Sequence, residues 1–289
     1  MMTTVITPVG APGVPEQPAA SSLDSSRGPV AFLVVMLAIL GVGGSALAWG
    51  ELPADEWRPL AFVLGASALT LAAAGALGRS LLRGSMGSPA MRVVYDAIRE
   101  GAEAFMRRQY RTIALLAAVT AVLVYVLYAF VRATSAEDPT PAGQLALATA
   151  LAFTFGASCS GLAGVVGMWV AIRSNVRVAT AARISTAAAL RTALRGGAVA
   201  GLVVPAMSLA GVASLFALLR ALGVAAEAAP LLVIGYGFGA SFVALFAQLG
   251  GGIYTKAAGA VAHVVAHEVG HHGRVARTGR RTRRRSRSR

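Results

Sequence analysis

The stretch PLLVIGYGFGASFVALFAQLGGGIYTKAA, Pro230 to Ala258, carries no charged side chain before Lys256, the only lysine of the chain. A helix needs about 20 apolar residues, at a rise of about 1.5 Å each, to cross a hydrocarbon core about 30 Å thick. The run from Ala228 to Tyr254 meets that length. Because a backbone in lipid must satisfy its own hydrogen bonds, the run predicts a transmembrane helix. Three successive glycines, Gly250 to Gly252, are expected to interrupt it where it leaves the bilayer, with Lys256 about one turn further on. Glycines open a backbone to close approach, and an ammonium suits phosphate oxygens, but the spacing is not that of a Walker A loop.

Five further runs share this character: Pro29 to Trp49, Leu60 to Gly78, Ile113 to Val131, Gln144 to Ile172 and Gly196 to Leu219. A mean hydropathy of +0.67 with 13% charged residues excludes an ordinary soluble domain. The fold class expected is an all-α membrane protein, a bundle of about six transmembrane helices. Small residues at Gly156, Ser160 and Gly164, and again at Gly235 and Gly239, mark faces where helix backbones approach one another.

Charge sets the orientation. Arg79 to Thr112 holds seven arginines against Asp96, Glu100 and Glu103, and Arg173 to Arg195 holds five against no acid, while the other connections are neutral or acidic. Arginine is retained on the cytoplasmic side. A multi-pass protein of the cell's inner membrane with both termini cytoplasmic is therefore expected. Residues 1–28 read as a disordered leader, 29–258 as the membrane region and 259–289 as a divergent tail rich in His and Arg. Nine arginines lie between Arg274 and Arg289, a block that reads as a solvated end and, in an alternative reading, as a lipid-binding tail of a non-enzymatic membrane protein. No nucleic-acid partner is expected. Cys159, alone in an apolar run, reads as a packed thiol.

Two segments at the arginine-rich side carry more information. In MRVVYDAIREGAEAFMRRQYRTIA, Met91 to Ala114, acids at i, i+4 and i+7 predict a solvated amphipathic helix that extends the third span. In GMWVAIRSNVRVATAAR, Gly167 to Arg183, Arg173 and Arg177 share a helical face where the fourth span ends. They either draw an anion to that end or reach for lipid headgroups.

Taken together, DAIREGAEAFMRRQYRTIA, SGLAGVVGMWVAIRSNVRVATAAR and IGYGFGASFVALFAQLGGGIYTKAA resemble, in order and spacing, the membrane-bound ion-translocating pyrophosphatases. The resemblance covers about Met91 to Ala258. It implies an enzyme that hydrolyses magnesium pyrophosphate and pumps protons or sodium, with Mg²⁺ as cofactor and a homodimer as the assembly. It carries a substrate-binding role to Lys256 and an ion-transport role to Arg177. Two departures stand out: one more span precedes the first shared block than is usual in the family, and after Ala258 the family's aspartates and second lysine do not follow. The chain is thus expected to be the N-terminal portion of such a pump, with no catalytic carboxylates of its own.

His267, Glu268 and His271 match the zinc-peptidase pattern HExxH, with two imidazoles on one helical face and Glu268 available as a general base. A catalytic zinc needs a third ligand inside a walled cleft, for which only His263 and His272 offer themselves. The motif reads as local composition, and a zinc metallopeptidase is the last alternative. Since Mg²⁺ chemistry on pyrophosphate needs clustered carboxylates, the purified chain in liposomes should show no Mg²⁺-dependent release of phosphate from pyrophosphate. Activity that disappears in Lys256→Ala would overturn this expectation.

Overall fold

The computed structural model describes residues 54–130 and 142–253, with the isolated positions 41, 44 and 256. Five helices account for most of it: α1 (Ala54–Leu82), α2 (Pro89–Phe130), α3 (Ala142–Ala182), α4 (Thr186–Ala221) and α5 (Ala229–Ile253). All five are long and apolar enough to cross a membrane, and the described residues contain no strand. The second, fourth and fifth expected spans fall within α1, α3 and α4, and the third and sixth, Ile113 to Val131 and Ala228 to Tyr254, coincide with α2 and α5 over all but their terminal residues. The first, Pro29 to Trp49, lies outside the described residues apart from two helical positions, and the leader and the His/Arg-rich tail lie outside them as well.

Four of the helices, α1 to α4, outrun the apolar runs that announced them. At about 1.5 Å per residue, the 42 residues of α2 extend about 63 Å, roughly twice a hydrocarbon core, so much of its arginine-bearing first half stands beyond the lipid. Ser88 begins α2 by accepting the Met91 N–H at 3.4 Å, with Pro89 in the first turn, where its missing N–H costs nothing. Ser185 plays the same part for α4, accepting the Ala188 N–H at 3.1 Å. These caps let the chain reverse through short turns without leaving backbone groups unpaired.

α4 is the centre of the bundle, packed broadly against both α1 and α3. Its buried positions Val199, Val203, Ala206, Ala210, Ala213 and Ala217 recur at helical spacing, and most are small. The bulky apolar side chains point the other way: Phe62, Leu69, Leu115, Leu123, Phe238 and Leu245 are all exposed. In water that arrangement would be unstable, and in lipid it is a solvated surface.

α5 lies in α3 through its small face. A Cβ placed on Gly235 would sit 2.8 Å from the Thr149 carbonyl oxygen, and one on Gly239 would overlap the Phe153 carbonyl. Gly156 meets the Tyr236 carbonyl in the same way. The matched four-residue steps, 149 to 153 on α3 and 235 to 239 on α5, mean the two helices run parallel here with backbones in direct contact. The side chain of Tyr236 then fills the gap among α3, α4 and α5, almost fully buried, with its ring 5.7 Å from that of Phe155.

The glycine triplet departs from expectation. Gly250 to Gly252 do not interrupt α5, which stays helical through them, and Lys256 is again helical. The missing Cβ at Gly250 instead makes room for Gln109 of α2, whose Nε2 donates to the Phe246 carbonyl at 3.0 Å. Close approach, the second use of glycine, wins over chain breaking.

If backbone contact holds α5 in place, Gly239→Ala should destabilise the bundle by roughly 1–3 kcal/mol through overpacking. Gly237→Ala, with open space around the new methyl, should be neutral or stabilising by up to about 1 kcal/mol. Thermal unfolding of the two variants in detergent, followed by helical circular dichroism, compares them directly.

Candidate functional site

The arginine-rich end of the bundle is formed where α1 and α3 finish and α2 and α4 begin. The last carbonyls of α1 and α3 are satisfied by the turns that follow them: Arg79 and Leu81 accept from Arg83 and Gly84 at 3.2 and 3.0 Å, and Thr180 and Ala181 accept from Arg183 and Ile184 at 3.2 and 3.0 Å. Helix ends closed in this way leave the side chains free to organise the surface.

Arg173 and Arg177 do not reach outward to headgroups. Both are buried, at 6% and 9% exposure, although each belongs to the last turns of a helix end rich in cations. Arg173 lies over the Trp169 ring, its guanidinium carbon 4.0 Å from the ring centroid, and donates through Nη2 to Glu103 Oε1 at 3.4 Å. Glu103 also accepts from Arg99 Nε at 2.8 Å, one turn away on α2. The acid expected on a solvated face therefore joins α2 to α3, holding two guanidiniums at once. A desolvated cation over indole contributes about 2 kcal/mol, which helps explain how Arg173 is held inside.

Arg177 has no such acid. Its Nη2 donates to the Leu82 carbonyl of α1 at 2.8 Å, and its Nη1 donates to the Arg173 carbonyl. Its Nε is buried and has no acceptor among the described residues. The side chain thus ties the end of α1 to α3 while keeping its positive charge.

Lys256 is exposed and lies beyond the end of α5, at the same end of the bundle by chain direction. The structure brings Arg173 to Glu103 and Arg177 to Leu82, while the surroundings of Lys256 include residues outside the described set. Among the described residues no three acidic, histidine or cysteine side chains cluster as a metal would require, so these residues do not by themselves fit a Mg²⁺ site. The weak alternative metal set, His267, Glu268 and His271, lies outside the described residues. A cavity of about 550 Å³ between α3 and α4 is lined by Ser174, Asn175 and small apolar residues, with no charged side chain in its lining.

Comparison with known proteins now bears on this geometry. A family profile described as inorganic H+ pyrophosphatase matches residues 68–270, more than half of the chain. The chain belongs to the inorganic H+ pyrophosphatase family. The match begins before Met91 and runs past Ala258, so the family covers more of the chain than the three motif blocks do, and it includes His267 and Glu268. The match stops before His271, and it favours the pyrophosphatase reading over the peptidase.

Individual pyrophosphatases agree. Over 182 residues the chain is 50% identical to a K(+)-insensitive pyrophosphate-energized proton pump of Caldanaerobacter subterraneus subsp. tengcongensis, covering 62% of this chain and 25% of that protein. It is 47% identical over 188 residues to pyrophosphate-energized membrane proton pump 3 of Arabidopsis thaliana, covering 62% and 23%. With K(+)-insensitive pyrophosphate-energized proton pump 2 of Moorella thermoacetica the figures are 50% over 188 residues, 64% and 25%. The chain therefore spans about a quarter of the length of these curated relatives. No solved structure matches it.

Sequence reasoning named Arg173 and Arg177 but missed Glu103 as the partner of Arg173, because nothing in spacing links positions 70 residues apart. It also missed Trp169, although the Trp-x-x-x-Arg interval to Arg173 puts ring and guanidinium on one helical face. Removing the acid should expose its structural share: Glu103→Gln should destabilise the chain by about 1–3 kcal/mol, the cost of leaving a buried cation half-paired. Since Glu103 is itself 36% exposed, screening places the result toward the lower value. A detergent unfolding midpoint unchanged from wild type would contradict this account.

Proposed function

We propose that this chain supplies the N-terminal part of a pyrophosphate-energised proton pump, the membrane region falling within 29–258. The observation that carries the reading is the family match over residues 68–270, supported by relatives at 47–50% identity whose names specify proton pumping. Those names favour the proton over sodium, and two of the three favour insensitivity to potassium.

In this reading Lys256 is the substrate-binding cation. It is an exposed ammonium at the arginine-rich end, able to meet the oxygens of pyrophosphate. Arg177 acts in ion transport. A buried guanidinium with no acidic partner among the described residues would keep ionised any carboxylate brought beside it in the whole pump. Mg²⁺ accompanies the substrate, its ligands lying outside the described set. The excess of arginine on the connections at one end supports a cytoplasmic position for that end and for both termini, in the inner membrane. The functional assembly is a homodimer, an expectation that rests on the family alone.

A chimera tests this without requiring the chain to act by itself. Exchanging the matched 182-residue segment of the Caldanaerobacter pump for the corresponding part of this chain should preserve pyrophosphate-driven acidification of membrane vesicles. Within the chimera, Lys256→Ala should raise KM for magnesium pyrophosphate by about 10- to 100-fold, the range for one charge-assisted contact. Arg177→Ala should abolish acidification while sparing more of the hydrolysis. A chimera that inserts and folds, yet neither hydrolyses pyrophosphate nor acidifies vesicles, would defeat the proposal.

A further inference from the structure

A second polar feature of the arginine-rich end stands apart from Lys256. Between the end of α1, the end of α3 and the first turns of α4 lies a cavity of about 160 Å³. Its polar lining consists of Ser80, Ser85, Arg177, Thr180, Thr192 and Arg195, and no carboxylate lines it.

The donors can be accounted for one by one. Ser80, Thr180 and Thr192 direct their hydroxyl hydrogens to carbonyls of their own helices, those of Leu77, Val176 and Ala188, at 2.8, 2.8 and 2.9 Å. Ser85 accepts from the Gly87 N–H at 3.2 Å, which leaves its hydrogen uncommitted. Arg177 is more than nine-tenths buried with Nε–H unpaired among the described residues, and Arg195 is exposed at the rim. Ile184, also in the lining, precedes the Ser185 cap of α4, a helix with no acid in its first turn. The helix N-terminus adds partial positive charge. The C-terminal ends of α1 and α3 add partial negative charge of their own, which the two guanidiniums oppose; the carbonyls of Arg79, Leu81, Thr180 and Ala181 already accept from the turns and that of Leu82 from Arg177.

Arg177 and Arg195 bring two guanidiniums to the wall of one polar cavity, and donors there call for an acceptor. Water would serve one donor, but two guanidiniums without a facing carboxylate select a negative charge over a neutral molecule. We propose that this cavity binds a phosphate group, held by Arg177, Arg195 and Ser85. That group is either the headgroup of an anionic phospholipid or free inorganic phosphate. The site stands independently of the pump reading, because it rests on the cavity and its donors.

Hydrogen–deuterium exchange and native mass spectrometry on the full, delipidated chain in detergent decide it, with three probes: phosphatidylglycerol, its phosphate-free counterpart diacylglycerol, and inorganic phosphate. Phosphatidylglycerol should form a complex and slow exchange in the turns at 83–88 and 183–185, and diacylglycerol should do neither. The same protection by inorganic phosphate alone would identify free phosphate as a ligand, whereas protection by the lipid only would identify the headgroup; either supports the site. Arg195→Gln and Arg177→Gln should each weaken the protecting probe by about tenfold or more. Arg191→Gln, an exposed arginine of α4 outside the cavity lining, should leave it unchanged. Should Arg177→Gln fail to fold, Arg195→Gln at the exposed rim carries the test. Equal protection by diacylglycerol, no protection by either phosphate probe, or wild-type protection in Arg195→Gln would each overturn the proposal.

Discussion

Apolar side chains gain nothing by moving from lipid into a helix interface, so a membrane bundle must be held by what lipid tails cannot match: backbones in direct contact and polar groups that find one another. The distribution of side-chain size follows from that constraint. α4 turns a face of alanine and valine toward α1 and α3, and α5 presents Gly235 and Gly239 to the backbone of α3, while phenylalanine and leucine face the hydrocarbon. Where a large side chain is buried, as at Tyr236, it sits in a space that Gly211 leaves open for it.

Charge completes the bundle at its two ends by different means. At the acid-bearing end Arg220 grips Glu56 with two hydrogen bonds, 2.7 and 2.9 Å, joining the last turn of α4 to the first turn of α1. At the arginine-rich end the acids are fewer than the cations. Arg173 takes one carboxylate and an indole face, whereas Arg177 is left to backbone carbonyls. The extension of α2 beyond the lipid explains why Arg173 turns inward: α2 stands beside α3 and offers Glu103 where water or headgroups would otherwise be. A cation held by carbonyls keeps its charge available to an anion.

Much of the candidate site was legible in residue type. Lys256 stood out as a lone lysine beside three glycines, and Arg177 stood out through its motif. Their settings were not legible. The glycines suggested a broken helix, but Gly250 serves instead to admit Gln109, a contact made across 137 positions of sequence. Arg195 counted only toward the positive charge of its stretch, one exposed arginine among several, until the turn after α3 carried it to the wall that Arg177 lines.

By itself the sequence determined the fold class, the approximate spans and the charge asymmetry, because hydropathy and helical length are local quantities that lipid enforces on each segment separately. Its motif blocks also pointed to the pyrophosphatase family, since residue order survives without knowledge of contacts. Only the tertiary structure decided that Glu103 clasps Arg173, that α5 lies backbone to backbone in α3, and that Arg177 and Arg195 line one cavity. Each of these depends on which faces of distant helices meet, and helical periodicity places residues on a face without naming the face opposite.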